Sequence, residues 1–395
     1  MTLEAAVLTD RFAAAMAEAE KLIVEAAHIQ TEQDLLEGLE YLAGGIRASM
    51  QFAFAYERDF PYFSQSTGPY MKMGLDNPDT LYYSADIRDN AEYVVTGTRG
   101  SAADLNFQVM AGHHAPNTVP DSPPAFDDRA IEIGADGTYE VRFGPAKPDA
   151  GPNYVTLPAG TTTLVVREVF SDWATEQPGR IRIQRADRTG LAPTPKSTAQ
   201  LEKAFEVAAT MLINRIKTFL VFPEMFYLSR PANTMWEPRL TPGGLTSQFS
   251  SAGHYELDDN QALIVTVPAS GAPYQGMQLG SMWYVSLDYI NHQTSLTTSQ
   301  ARVDPDGKIR FVVAERNPGL VNWLECTGHR KGYLQIRWQR LSRELTVQDG
   351  PGVELVSFNK LPERLPHYAE ARLSPREWSQ RIAIRQAAVA NRMLS

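Results

Sequence analysis

The stretches that decide the fold are AIEIGADGTYEVRFG, residues 130 to 144, and ARVDPDGKIRFVVA, residues 301 to 314. In each, alternating apolar and polar residues flank an Asp-Gly dipeptide, the pattern of a β-hairpin closed by a tight turn. The turn residues Asp136 and Asp306 stand 170 positions apart. The same offset relates Asp89-Asn90 to Asp259-Asn260, Gln108 to Gln278 and Arg167 to Arg337. Coincident offsets of this kind point to an internal duplication.

The sequence therefore predicts a mainly β protein with accessory helices: two duplicated β-sandwich or jelly-roll-like domains joined by a long helix. Short strands with frequent turns, not alternating with helices, favour sandwiches over a parallel sheet. The expected layout is a helical segment at 1–60, a first β-domain at 61–190, a connecting helix and linker at 191–234, a second β-domain at 235–350 and a C-terminal extension with a helix at 351–395.

Helices are expected over 3–28 and 32–56, the second capped by Thr31 with Asp34 three positions on. In STAQLEKAFEVAATMLINRIKTFL, Ser197 and Gln200 form a capping box, and Leu201, Phe205, Ala208, Leu212, Ile216 and Phe219 share one stripe. A last helix starts at SPREW, with Ser374 as cap, Pro375 at the first helical position and Glu377 closing the box.

The 395 residues exceed the usual ~100 to 200 per domain, which favours several domains. Lys plus Arg number 37 against 46 Asp plus Glu, a net charge of -9, and no basic patch marks a nucleic-acid surface. The single cysteine, Cys326, precludes an internal disulfide and fits a reducing compartment. Glu4, Asp10 and Arg11 interrupt any signal-peptide pattern, and FLVF at 219–222 is far short of the ~20 apolar residues that span a bilayer. A cytoplasmic homo-oligomer acting on a small molecule is expected, with no nucleic-acid or membrane partner and no cofactor.

Aligning the copies sets NYVTLPAG (153–160) against NWLECTG (322–328), with one residue of slippage. Asn, an aromatic residue and a later Gly are thus scaffold, and Tyr154 and Trp323 are expected at equivalent, mostly buried positions. The second copy alone carries Glu325, Cys326, His329, Arg330 and Lys331.

GLDNPDTLYYSADIRDNAEYVVTGTRG, GHYELDDNQALIVT, MQLGSMWYVSLDYINHQTSL and NPGLVNWLECTGHRKGYLQIRW resemble the bacterial family called domain of unknown function 1214, a relative of the 1254 domain. The likeness covers about 74–110 and 240–340. It implies paired β-sandwich or jelly-roll-like domains with accessory helices and no established reaction. The family's closing loop reads Asn-Trp-Leu-Asp-Thr-Ala-Gly-His, so Glu325, Cys326 and Thr327 are departures.

The candidate catalytic residues are Asp288, His292 and His329. Asp288 and His292, four apart in MWYVSLDYINHQTSL, would meet on a helical turn as a carboxylate-oriented base, but on a strand they would stand ~13 Å apart. His329 and Arg330 lie at a strand entry, where binding loops cluster. Candidate substrate contacts are Tyr82, Arg99, Trp283, Tyr284, Glu325, Cys326 and Arg330. A nucleophilic Cys326 would need His329 as its base. Asn77 and Asp79 read as an Asx turn. His113, His114, His254, His292 and His329 match no metal-binding spacing, and no metal is expected.

Dinucleotide, P-loop, nucleophile-elbow and HExxH motifs are absent from the sequence. Three readings remain. The first is an enzyme without a redox cofactor, a hydrolase or lyase using His and carboxylate acid–base chemistry on a small, partly apolar molecule. The others are a small-molecule binding or carrier protein and a structural assembly module. The enzyme predicts His292 and His329 in one cavity, with Asp288 or Glu325 orienting them and Arg330 at an anionic oxygen.

Overall fold

The computed structural model describes residues 8–55, 57–112, 125–240 and 248–393, and His113 and His114 lie outside them. The helices are α1 (Asp10–Val24), α2 (Glu32–Phe54), α3 (Thr198–Pro223), α4 (Leu361–Arg364) and α5 (Pro375–Met393). Strands β1 (Ser64–Thr67), β2 (Thr80–Asp86), β3 (Tyr93–Thr98), β4 (Asp104–Ala111) and β5 (Ala125–Asp127) open the first half. It continues with β6 (Thr138–Gly144), β7 (Tyr154–Thr156), β8 (Thr161–Val169) and β9 (Arg180–Arg185). The second half has β10 (Thr234–Met235), β11 (Arg239–Leu240), β12 (Phe249–Glu256), β13 (Gln261–Pro268), β14 (Tyr274–Ser281) and β15 (Val285–Ser286). It ends with β16 (Ser295–Thr297), β17 (Lys308–Ala314), β18 (Trp323–Glu325), β19 (Lys331–Gln339) and β20 (Gly352–Ser357).

The described residues form four sheets. In the first half they run β1-β2-β8-β4-β5 and β7-β6-β3-β9; in the second, β10-β12-β19-β14-β15, with β16 also on β14, and β18-β17-β13-β20. Strand order thus corresponds between the halves, and β4, β6 and β8 map onto β14, β17 and β19 at the 170-residue offset. Register follows it too: Gln108 faces Val165 where Gln278 faces Gln335. Pairing of β2 with β8 departs, being two residues out of step with β12 on β19.

The Asp-Gly turns form, but neither joins two paired strands. Thr138 N–H and hydroxyl both donate to Asp136 Oδ1, and β6 then pairs with β3 and, in parallel, with β7. Residues 131–137 carry no strand, and the arm expected before the second turn is reduced to a single bridge, Val303 to Ile309. The predicted hairpins are therefore corrected: the alternation before each turn belongs to an irregular segment, and the strand after it finds a distant partner.

Period-two alternation assigns each face. Leu164 and Val166 join Phe107, Val109, Val141 and Phe143 in the first core; Leu334, Ile336 and Trp338 join Met277, Leu279, Phe311 and Val313 in the second. Both clusters draw on two sheets, so each half is a sandwich. Thr163, Val165 and Arg167, and likewise Gln335, Arg337 and Gln339, fall on the opposite faces.

The capping boxes at Thr31 and Ser197 form as expected, and Ser374 and Glu377 bond reciprocally. α1 is shorter than the predicted 3–28. α3 does more than connect: Ala208, Leu212 and Ile216 pack with Phe12, Ile23 and Leu42 of α1 and α2. This helical layer docks through Trp283, whose Nε1 donates to Asp34 O at 2.7 Å. At the edges, Trp323 is buried and packs on Trp378 of α5, whereas Tyr154 is only half-buried, its hydroxyl donating to Pro145 O at 2.7 Å. Their strand partners, Val312 and Arg142, differ by the same offset.

Candidate functional site

A cavity of about 1710 Å³ lies between the outward faces of the two sandwiches and the helical layer. β8 contributes Thr163, Val165 and Arg167, β19 contributes Gln335, Arg337 and Gln339, and α3 contributes Val207, Met211, Arg215 and Phe219. Phe52, Phe222, Tyr227 and Trp236 add apolar wall. Exposed lining residues such as Arg11 and Glu18, paired to Glu206 and Lys217, stand at a solvent end. Largely apolar walls with a few convergent polar groups are the usual make-up of a small-molecule site.

Charge inside the cavity is mostly positive. Arg337 donates to Gln278 Oε1, to Leu75 O at 2.5 Å and to Gln335 Oε1 at 3.1 Å. Arg215 donates to Met71 O at 3.3 Å and Lys72 O at 2.5 Å, and burial pulls its pKa below the ordinary value against the opposing Tyr41 and Asp76. Asp76 accepts from Ser286 N–H at 3.0 Å and Ser286 Oγ at 2.8 Å. Tyr284 has a left-handed backbone, φ 57°, which turns the chain out of β14 and brings its hydroxyl to Tyr227 at 3.0 Å.

Of the residues predicted from sequence, Tyr82 and Tyr284 line this cavity. Tyr82 accepts from Asn77 N–H at 3.0 Å, and Asn77 Oδ1 accepts from Asp79 N–H at 3.0 Å in the anticipated Asx turn. Arg99 is structural, bound to Asp128 at 2.7 Å and to the carbonyls of Gly100 and Ala102. Trp283 belongs to the helix dock. Arg330 pairs with Asp259 at the surface, with side chains 68% and 70% exposed.

The two histidines do not line the cavity. His292 Nδ1 lies 3.0 Å from Glu325 Oε2, with the imidazole 42% exposed. Asp288 turns instead to Ile290 N–H at 2.9 Å, Asn291 N–H at 3.1 Å and Asn291 Nδ2 at 2.8 Å, so Glu325, not Asp288, is the carboxylate beside the His292 imidazole. The reason is local: the chain turns at Asn291, and Asp288 caps that turn.

His329 is 3% exposed, with Nδ1 2.8 Å from Cys326 O and Nε2 2.9 Å from Glu37 Oε2 of α2. Burial alone would lower its pKa; the Glu37 hydrogen bond and charge, with the Cys326 carbonyl and Asp34, outweigh burial and hold it above the ordinary value. Burial pushes the Cys326 thiol up, Glu315 adds to this, and a Tyr255 hydrogen bond only partly offsets it. That is the reverse of what a nucleophilic thiolate requires, and Cys326 packs in the second core.

Sequence reasoning does not single out Arg167, Arg337, Arg215 or Asp76 as site residues. A signal is present: Arg167 and Arg337 interrupt apolar strands at matched positions. A charged residue on one face of a sandwich strand ordinarily reads as solvent-facing, however, and only the docking of two sheets and three helices converts that face into a cavity wall. Among the described residues no three His, Cys, Asp or Glu side chains gather as a metal site, and no helix is long and apolar enough to cross a membrane.

No family model and no curated protein matches the chain. An uncharacterised protein from Burkholderia cenocepacia has a similar solved structure, with a TM-score of 0.79 and 26% identity over 89% of this chain and 96% of that one. The VPA0106 protein from Vibrio parahaemolyticus aligns at a TM-score of 0.45 and 13% identity, over 80% of this chain and 98% of that one.

Proposed function

We propose that the chain is a small-molecule binding or carrier protein that takes a partly apolar ligand into the cavity between its sandwiches. The observation carrying this reading is the cavity itself, walled by apolar helix residues and by the polar outer faces of both halves. The test uses anilinonaphthalene sulfonate, whose fluorescence rises in an apolar cavity. Binding is expected, and Met211→Trp, which fills the α3 wall, should weaken it about tenfold with the fold intact. Equal binding by both proteins would locate the dye elsewhere and remove the support.

An acid–base enzyme is the second reading, favoured by the half-exposed His292 imidazole, 3.0 Å from the Glu325 carboxylate. It asks for hydrolysis or elimination that His292→Ala lowers by about two orders of magnitude. Retention of full turnover in that variant would dismiss it.

We further propose that the halves are copies of one jelly-roll-like sandwich unit, each built from a larger and a smaller mainly antiparallel sheet. Matched strand order and the 170-residue offset support this. Kinship to the 1214 and 1254 domains is proposed on the sequence motifs, and a reducing, cytoplasmic location on the single cysteine.

A further inference from the structure

We propose that Arg167 anchors the carboxylate of an amphipathic ligand, a long-chain fatty acid or a molecule of that class, inside the central cavity. The proposal rests on the ligand-binding reading above and assigns the ligand's charge. Arg167 and Arg337 occupy matched positions, and each donates through Nη1 to the matched glutamine, Gln108 at 2.6 Å and Gln278 respectively. There the likeness ends. Arg337 spends its Nη2 on the Leu75 carbonyl and on Gln335 Oε1. At the position matching Gln335 the first half has Val165, which has no side-chain acceptor.

Arg167 therefore keeps its Nε and Nη2 edge without an acceptor among the described residues, with Tyr82 below the guanidinium at 5.6 Å. It forms no ion pair there; burial draws its pKa down, and Tyr82 is the one group opposing this. The guanidinium is only partly buried, and its unpaired edge belongs to a side chain that lines the cavity, where a carboxylate would complete it. The open edge is a side-on fork whose two parallel N–H groups match the two oxygens of a carboxylate.

The fork is shaped for a single planar monoanion, and the matched Arg337 is committed as above, while Arg215 gives its Nη2 to the carbonyls of Met71 and Lys72. Beyond the fork the walls are Phe52, Val207, Met211, Phe219 and Phe222, which suit a hydrocarbon body.

The experiment compares cis-parinaric acid with its methyl ester, following probe fluorescence on the full chain. Wild type should bind the acid about tenfold more tightly than the ester, as expected for a charge-assisted hydrogen-bonded pair. Arg167→Met should bring the two affinities together. Val165→Gln supplies the acceptor that Gln335 provides in the other half and should reduce the preference while leaving every arginine in place. Thermal melts of both variants establish that they fold; should Arg167→Met fail to, Val165→Gln and the wild-type acid-to-ester ratio decide the matter. Equal affinities in wild type, or a preference that survives in the folded variants, overturns the role of Arg167 while ligand entry stands. Failure of both probes to bind overturns the cavity reading along with it.

Discussion

Glu37 on α2 and His329 in the second sandwich, 292 positions apart, meet at 2.9 Å. The contact fastens the helical layer to the loop before β19, beside Gln33, whose Nε2 donates to Thr327 O at 2.8 Å.

Because the His329 pKa is raised on folding, the stabilisation from this pair is fully present below the unfolded value of ~6.5 and is lost as pH rises through the folded value. Urea denaturation should show wild type losing stability as pH rises above the unfolded imidazole value of ~6.5. Glu37→Gln should flatten that slope and cost about 1 to 3 kcal/mol at the acidic end. A variant that keeps the wild-type slope would assign the titration to another group.

Gly38 faces Trp283 so closely that a Cβ on it would lie 2.3 Å from Cζ2 and 2.8 Å from Ile23 Cγ2. Helix propensity alone favours Ala over Gly by about 1 kcal/mol. We expect the opposite sign: Gly38→Ala should destabilise by about 1 to 3 kcal/mol, because Trp283 is buried and its indole N–H is tied to Asp34. A raised melting temperature in this variant would show that the dock yields freely.

Cys326 should resist an aromatic disulfide reagent in the native protein and react on denaturation, its thiol being buried and its pKa raised. Stoichiometric labelling of the folded protein at neutral pH would show instead that the second core opens there.

Local chemistry is readable from sequence wherever its partners are local. The helix starts at Thr31, Ser197 and Ser374 are specified within three residues, and the facing of Leu164 and Val166 against Arg167 follows from the pleat alone. The 170-residue offset carries strand order as well. The choice of distant partners is what sequence does not reveal. Alternation around Asp136 identifies a turn but not that β6 will pair with β3, and nothing near His329 names Glu37. His292 reads with Asp288 because those residues are close in sequence, whereas the fold supplies Glu325. The cavity is hidden for the same reason, since its walls come from several elements far apart in the chain.

The crossing of segments between the halves also sets an order of assembly. The described strands of the first sandwich have all been made once β9 is complete, but the carbonyl of Pro78 receives its bond from Arg392 of α5, at 2.7 Å. At about 5 to 20 residues per second, roughly 10 to 40 s of translation separate the two. Meanwhile α2 waits for the loop at Thr327. Each sandwich is free to collapse as it emerges, but the bond from Arg392 that ties α5 back to the first half forms only after α5 has left the ribosome.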